Sequence, residues 1–209
     1  MIPTAGGVVR AAEELPGRPG PTPQGRLAMS TILALSGSPS PTSRTAALTD
    51  HVADLLRADD HAVDVVRVRD LPADALLSAD TTDPAIAEVV AKVELADGVL
   101  VASPVYKAAY SGVLKALLDL LPQFALAGKT VLPVLTGGTP AHVLAVDYAL
   151  RPVLSSLGAH HIVPGWFVLD KHIGTDTGRV VLAPDADRPL HNVVTAFSAA
   201  LHARAALVA

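Results

Sequence analysis

Short apolar runs that alternate with helix-like segments are the feature that most limits how this chain can fold. Runs such as 31–36 (TILALS) and 98–103 (GVLVAS) are apolar except at their ends, which is typical of strands buried on both faces. The segments between such runs, for example 45–57, carry apolar residues at the spacing of an amphipathic helix. This alternation predicts an α/β fold in which helices cover both faces of a parallel sheet.

Five strands and five helices follow from this pattern. The strands are predicted at 31–36, 63–68, 98–103, 129–135 and 160–168. The helices are predicted at 45–57, 84–95, 111–121, from Pro140 to about Leu157, and at 189–206. A three-layer sandwich with the five-stranded order 2-1-3-4-5 is the simplest arrangement, and it brings the loops after strands one, three and four to one edge of the sheet. Pro133 is unusual inside the fourth strand, because proline cannot donate to a strand ladder.

Composition excludes several classes of function. The chain has 209 residues and a net charge of −4, with no block of lysine or arginine, so we expect no nucleic-acid partner. No apolar run reaches the ~18 residues that a membrane span requires. The absence of cysteine excludes thiol chemistry, disulfides and thiolate metal sites, so any redox activity depends on a bound cofactor.

Residues 1–28 differ in composition from the remainder. They contain five prolines and five glycines, show neither a helical nor a strand period, and lack the apolar core of a signal peptide. We therefore predict a flexible N-terminal extension over 1–28, one domain over 29–209, and a cytoplasmic location.

The stretch SGSPSPTSR, residues 36–44, is longer than a simple turn requires. Its hydroxyls precede a predicted helix, whose N-terminal N–H groups and positive dipole end favour an anion. We predict that Ser38, Ser40, Ser43 and Thr45 bind an anion together with Arg44. A hydroxyl-rich helix cap beside a solvated arginine is the alternative interpretation.

The segment SPVYKAAYSG, residues 103–112, contains two of the chain's three tyrosines. A tyrosine ring can stack on a planar ligand while its hydroxyl stays in water, so Tyr106 and Tyr110 suggest a ring-binding loop. Lys107 is placed either to meet a phosphate or to face solvent.

The segment TGGTPAH, residues 136–142, follows the fourth strand. Adjacent glycines at 137 and 138 allow a ligand to approach the backbone closely. A plain turn is the alternative interpretation.

The helix predicted after Pro140 is apolar on nearly every side. A helix without a polar face is buried by its own domain or by a partner, so we predict a subunit interface here. Pro152 should bend or end this helix. The eight histidines form no motif with metal-ligand spacing, so we predict no metal site.

Three stretches together resemble a known family: LSGSPSPTSR, SPVYKAAYSGVLKALLDLLP and GKTVLPVLTGGTPAHVLAVDYALRPVLSSLGA. They resemble the NADPH-dependent FMN reductases of sulfonate-sulfur assimilation, which are the reductase halves of two-component flavin monooxygenase systems. The resemblance runs from about 30 to 168 and implies a flavodoxin-like fold. It also implies an enzyme that moves a hydride from NADPH, or NADH, to FMN.

The resemblance implies roles for individual residues. The FMN phosphate would lie in the first loop, against Ser38, Ser43, Arg44 and Thr45. The flavin and its ribityl chain would lie against Pro104, Val105 and Tyr106, and the pyrimidine side of the ring against Thr136, Gly137 and Gly138. Similar reductases have an arginine at the position that Ser40 occupies here. No side chain is predicted to act as a catalytic acid or base.

The resemblance further implies a homo-oligomer, a tetramer or a dimer, with Tyr110, Asp147 and Tyr148 at the subunit contact. Reduced FMN would pass to a flavin-dependent monooxygenase. Two other functions stay open: a quinone or azo reductase that retains its FMN, and a flavin-binding electron carrier without nicotinamide activity.

Overall fold

The computed structural model of the protein describes residues 29–176 and 179–208. The predicted extension 1–28 lies outside the described residues. The strands are β1 (Thr31–Ser36), β2 (Ala62–Arg67), β3 (Gly98–Tyr106), β4 (Ala109–Tyr110), β5 (Thr130–Gly137), β6 (His161–Ile162), β7 (Trp166–Leu169), β8 (Ile173–Asp176) and β9 (Arg179–Leu182). The central sheet runs β2-β1-β3-β5, and β6 and β7 both pair in parallel with β5. Since β6 and β7 together form the predicted fifth strand, the predicted order is confirmed.

Helices cover both faces of this sheet. They are α1 (Arg44–Ala58), α2 (Ala73–Ser78), α3 (Pro84–Leu95), α4 (Gly112–Leu118), α5 (Arg151–Ser156) and α6 (Pro184–Val208). Successive residues of β1 point to opposite faces. Ile32 and Ala34 pack with α1 and α6, whereas Leu33 and Leu35 pack with α3, α4 and α5. Both faces of β1 are therefore buried, as its unbroken apolar run predicts.

The prediction of one continuous helix over 140–157 is wrong. The segment begins with a 3₁₀ turn at Pro140–His142, continues through a π-helical turn at Val146–Leu150, and ends in α5. The N–H of Arg151 donates to the carbonyl of Val146, which is the i+5 bond of a π-helix. Pro152 lies in the first turn of α5, where its missing N–H is tolerated, so α5 continues beyond it.

Pro133 explains why the fifth strand is interrupted. The N–H of Val163 donates to the carbonyl of Val131, and the parallel ladder would next require an N–H from residue 133. Proline has none, and β6 ends at this point. The Arg151 guanidinium instead donates to the carbonyls of Ile162 and Val163, at 3.1 and 3.4 Å.

The gap between β6 and β7 also provides space for the side chain of Val146, which belongs to the π-helical turn. A Cβ atom at Gly165, between β6 and β7, would lie 2.6 Å from Val146 Cγ1 and 2.7 Å from the Pro133 carbonyl oxygen. Only glycine fits between these two neighbours, because real Cβ atoms do not approach other atoms so closely.

Several elements lie outside the sequence-based predictions. Helix α2 is too short to show a period, and β4 has two residues. The antiparallel pair β8–β9 lies beyond residue 168, where the resemblance found in the sequence ends. Helix α6 begins at Pro184 rather than at 189 and contains Pro189. Among the helices of the described residues, none has the length and apolar character of a membrane span.

Candidate active site

A cavity of about 1040 Å³ opens at the carboxyl edge of the sheet. It lies between the loops that follow β1, β3 and β5, and every predicted ligand residue except Lys107 lines it. The winding of the sheet reverses between β1 and β3, which is where ligands bind in open α/β sheets. We call this space the rim cavity.

The first loop, residues 37–43, presents its hydroxyls to the rim cavity. The Ser43 hydroxyl caps α1 by accepting the N–H of Ala46 at 3.1 Å. The Ser40 hydroxyl accepts the N–H of Thr42 at 3.3 Å. These bonds fold the loop around the start of α1, whose first N–H groups have no partner within the helix. The loop and the helix end thus form an anion-binding geometry, with the exposed Arg44 beside it.

Gly37 lets the first loop lie directly against its neighbours. Its N–H donates to the carbonyl of Ala102 on β3 at 2.8 Å. A Cβ atom at this position would lie 2.6 Å from the Leu114 Cβ on α4. A larger residue would therefore push the loop away from the sheet.

Buried hydroxyls connect the three parts of the cavity wall. Thr45 on α1 and Thr136 on β5 share a hydrogen bond of 2.7 Å between their hydroxyls. The Ser111 hydroxyl donates to the carbonyl of Gly37, and the Ser111 N–H donates to the Ser103 hydroxyl at 2.9 Å. Sequence reasoning missed Ser103 and Ser111. Ser111 is recognisable as the N-cap of α4, but its bond to the first loop spans 74 residues and has no sequence signal.

The segment 103–112 is an extended hairpin rather than the predicted loop. Strand β3 continues to Tyr106, and a two-residue turn leads into β4, with φ of 51° at Lys107 and 67° at Ala108. Such turns match the twist of a hairpin, although they strain residues other than glycine. The turn carries Lys107 beyond the rim cavity.

The two tyrosines of this hairpin have different surroundings. Tyr106 lines the rim cavity together with Pro104 and Val105, and it is 51% exposed. Tyr110 instead packs against the core on the α4 side of the sheet. Burial raises the pKa of the Tyr110 phenol, so it stays protonated at neutral pH.

The end of β5 forms the opposite wall, through Thr136, Gly137 and Gly138. A Cβ atom at Gly137 would lie 2.9 Å from the Phe167 ring, so this glycine is required by packing. A Cβ atom at Gly138 would meet nothing closer than the Asp170 carboxylate at 4.0 Å. Protein packing does not require glycine at 138. The missing side chain leaves space in the rim cavity itself.

Other lining residues were missed by sequence reasoning. Asp170, Ile173 and Gly174 come from the segment that enters β8, where the sequence offered no recognisable pattern. Arg67 and Arg69 come from the end of β2. Arg67 falls in the strand predicted at 63–68, and neither arginine was predicted to contact a ligand.

A second surface feature lies around the π-helical turn. Val143, Leu144 and Tyr148 are 48%, 60% and 79% exposed, and we call these three residues the apolar face. A depression of about 330 Å³ borders Leu144 and Tyr148. Asp147 Oδ1 pairs with Arg151 Nε at 3.0 Å beside it, and β4 with Tyr110 packs nearby.

Asp59, His61 and His202 are the one group of potential metal ligands among the described residues. Their candidate ligand atoms lie within 4.8 Å of one another, on the α6 side. The Ser198 hydroxyl already bonds to both His61 Nε2 and the Asp59 carboxylate, and the two imidazoles stack with centroids 4.7 Å apart. Burial and the neighbouring His202 lower the pKa of His61. We interpret this cluster as packing between α6 and the end of α1.

Comparison with known proteins identifies the family of this chain. Residues 30–174 match the family model described as NADPH-dependent FMN reductase. An FMN reductase (NADPH) of Escherichia coli (strain K12) is 43% identical over 173 residues, which cover 83% of this chain and 91% of that protein. An FMN reductase (NADPH) of Pseudomonas putida is 44% identical over 177 residues, covering 83% and 89%.

A solved structure of similar sequence agrees with the fold. The apo form of an NADH:FMN oxidoreductase (EMOB) superimposes with a TM-score of 0.75 at 42% identity, covering 82% of this chain and 90% of that one. The residues that the family model matches include all three walls of the rim cavity. The chain belongs to the NADPH-dependent FMN reductase family.

Proposed function

We propose that the protein binds FMN in the rim cavity, reduces it with NADPH or NADH, and releases the reduced flavin to a partner monooxygenase. One observation carries the proposal: hydroxyl bonds hold the loops after β1, β3 and β5 around one cavity. Its walls differ in chemistry, with hydroxyls and a helix N-terminus on one side and exposed backbone on the other. FMN has the matching polarity, since it carries a phosphate at one end and a flat heterocycle at the other.

The residues present fit FMN. The phosphate would be held by hydroxyls of the first loop, the N–H groups that begin α1, and Arg44. The space beside Gly138 would admit the edge of the flavin ring, with Thr136 and Gly137 alongside. Pro104, Val105 and Tyr106 would border the remainder of the ligand. The volume lies at the upper end of small-molecule sites, so a second ligand has room to approach.

When bound, FMN supplies the hydride acceptor of the reaction. The chain itself holds the two reactants in register and shields them from water, which is sufficient to accelerate a direct transfer. No side chain of the cavity is assigned as a catalytic acid or base. The hydrogen bonds between Thr45 and Thr136 and between Ser111 and Gly37 keep the walls of the rim cavity at a fixed separation.

The apolar face supports a homo-oligomer, a dimer or a tetramer. Three exposed apolar side chains, two just before the π-helical turn and one within it, are costly in water and favourable against a partner. We place Tyr148 and Asp147 at the subunit contact, with Tyr110 beneath it. The depression next to Tyr148 would receive a side chain of a second copy.

Reduced flavin reacts quickly with oxygen, so its natural consumer is an enzyme that uses oxygen. We propose a flavin-dependent monooxygenase of sulfonate-sulfur assimilation as that partner, and the cytoplasm as the compartment, where nicotinamide dinucleotides are present.

The experiment that tests this function is steady-state oxidation of NADPH and of NADH with free FMN or a quinone as the acceptor. We expect rates that saturate with FMN, and protein that loses its flavin on dialysis. Stoichiometric FMN that survives dialysis, with faster quinone turnover, would instead indicate a quinone or azo reductase. Anaerobic stopped-flow mixing that fails to bleach the oxidised flavin would indicate an electron carrier.

A further inference from the structure

Two arginines from the end of β2 lie on the wall of the rim cavity next to the first loop. Arg67 is the last residue of β2, and its Nη2 donates to both carboxylate oxygens of Asp50 at 2.8 Å. The charge of Arg67 is therefore neutralised within the protein. Arg69 follows in a 3₁₀ turn, and its Nε lies 3.3 Å from the largely exposed carboxylate of Asp70. This second pair is longer and is screened by water.

Arg69 lies against the first loop rather than in solvent. Its Nη1 donates to the backbone carbonyl of Ser40, and its side chain is only 22% exposed. Within the described residues, its Nη2 has no hydrogen-bond partner. A guanidinium is a rigid fork, so a contact made by one arm fixes where the other arm points. Arg69 thus brings a positive charge and unused N–H donors to the loop.

The first loop itself is short of charge. Ser40 is neutral, and its hydroxyl bonds to Thr42. Arg44 is the one cation within the loop and the first turn of α1. A phosphate monoester carries nearly two negative charges at neutral pH, and a second guanidinium would balance it better.

We propose that Arg69, in the 3₁₀ turn after β2, is a phosphate-binding residue of the rim cavity, which adds a second cation to Arg44 beside the first loop. This inference rests on the proposed function. The ligand chemistry is a phosphate monoester, which both FMN and NADPH carry. We assign Arg69 to the FMN 5′-phosphate, since its guanidinium contacts the loop that also contains Ser38 and Ser43.

The test compares FMN with riboflavin, which lacks the phosphate. Calorimetric titrations would use the full chain and the variants Arg69→Gln, Arg69→Lys and Arg57→Gln. Arg57 is the matched control, because it is ion-paired on α1 and does not line the rim cavity. We expect Arg69→Gln to weaken FMN binding at least tenfold and to change riboflavin binding less than twofold. Arg69→Lys should recover part of the loss, and Arg57→Gln should bind both ligands like the natural protein.

Three results would overturn the inference. Equal weakening of FMN and riboflavin by Arg69→Gln would mean that Arg69 only holds Ser40 in place. An unchanged FMN affinity, with a tenfold fall in the preference for NADPH over NADH in kcat/KM, would assign Arg69 to the phosphate of the nicotinamide dinucleotide. An unchanged FMN affinity and unchanged nucleotide preference would assign it to neither. In each case the natural protein still binds FMN, whereas failure of the natural protein to bind either flavin would remove the proposed function as well.

Discussion

The rim cavity and the apolar face lie on the same edge of the molecule but are built in opposite ways. In the rim cavity, buried hydroxyls tie distant segments together, and donors of Arg69 and α1 are left over for a ligand. On the apolar face, Leu144 and, within the π-helical turn, Tyr148 are exposed to water. Among the described residues, the first region has hydrogen-bond donors that the protein itself does not use, and the second exposes apolar side chains. This difference agrees with our proposals that the first region binds FMN and that the second contacts another copy of the chain.

Among the changes that test this difference between the two regions, filling the rim cavity should have the largest effect. The change Gly138→Leu places a side chain in open space, so the fold should survive while FMN binding weakens roughly 100-fold or more. Titration calorimetry would measure the affinity, and thermal unfolding would measure stability. Gly112→Leu is the control, since Gly112 also has open space around its Cβ but lies outside the cavity. Similar FMN binding by both variants would contradict the assignment.

A charge on the apolar face should break the subunit contact. We expect Tyr148→Asp to raise the dissociation constant of the oligomer about 30-fold, because truncating a buried interface tyrosine typically costs about 2 kcal/mol. Light scattering after gel filtration would report the mass over a range of concentrations. Val181→Asp is the control, since Val181 is also exposed but lies on β9. An unchanged mass for Tyr148→Asp would exclude Tyr148 from the contact.

The hydroxyl tie between two walls can be tested by a double-mutant cycle. Replacing either Thr45 or Thr136 by valine leaves the other buried hydroxyl unpaired, which should cost roughly 1–2 kcal/mol in the free energy of unfolding. The double replacement should cost less than the sum of the single ones. Urea unfolding of the four proteins would provide the coupling energy. Strictly additive losses would mean that the bond contributes nothing specific.

The smallest effect concerns a third region, where α6 packs on α1 away from both surfaces. Burial and neighbouring histidines lower the pKa values of His51 and His61 below 6.5. The unfolded chain therefore binds more protons than the folded chain just below pH 6.5, and stability should fall as the pH drops from there towards the lowered pKa values. Urea midpoints at pH 7.5 and 5.5 would show this loss. His202→Gln should reduce it, because it removes the like charge beside His61; an equal loss in both proteins would contradict this origin.

Local sequence was sufficient to predict the sheet order and most of the cavity. Apolar runs marked the strands, and the resemblance to FMN reductases, together with the predicted activity, is confirmed by family membership. The residues that line the cavity followed because loops after parallel strands meet at one edge. Their proposed contacts with FMN stay predictions.

The parts that sequence reasoning missed depend on long-range geometry. Ser111 reaches Gly37 across 74 residues, and Arg69 reaches Ser40 across 29. The π-helical turn contains one residue more than an α-helical turn, although its apolar residues otherwise follow an ordinary helical pattern. A search for apolar residues at α-helical spacing therefore predicts an ordinary α-helix here. Lys107 was predicted either to meet a phosphate or to face solvent, and it lies in the hairpin turn, outside the lining of the rim cavity.

The single proline in the middle of β5 has a consequence for how this protein can evolve. Pro133 stops the neighbouring strand, Arg151 donates to the Val163 carbonyl that is left free, and Gly165 leaves room for Val146 of the π-helical turn. We expect a substitution at any of these four positions to disturb its neighbours in this group. We therefore expect sequence changes in the sheet to be correlated with sequence changes on the apolar face during evolution. Descendants of this protein that lose Pro133 should also change their subunit contacts.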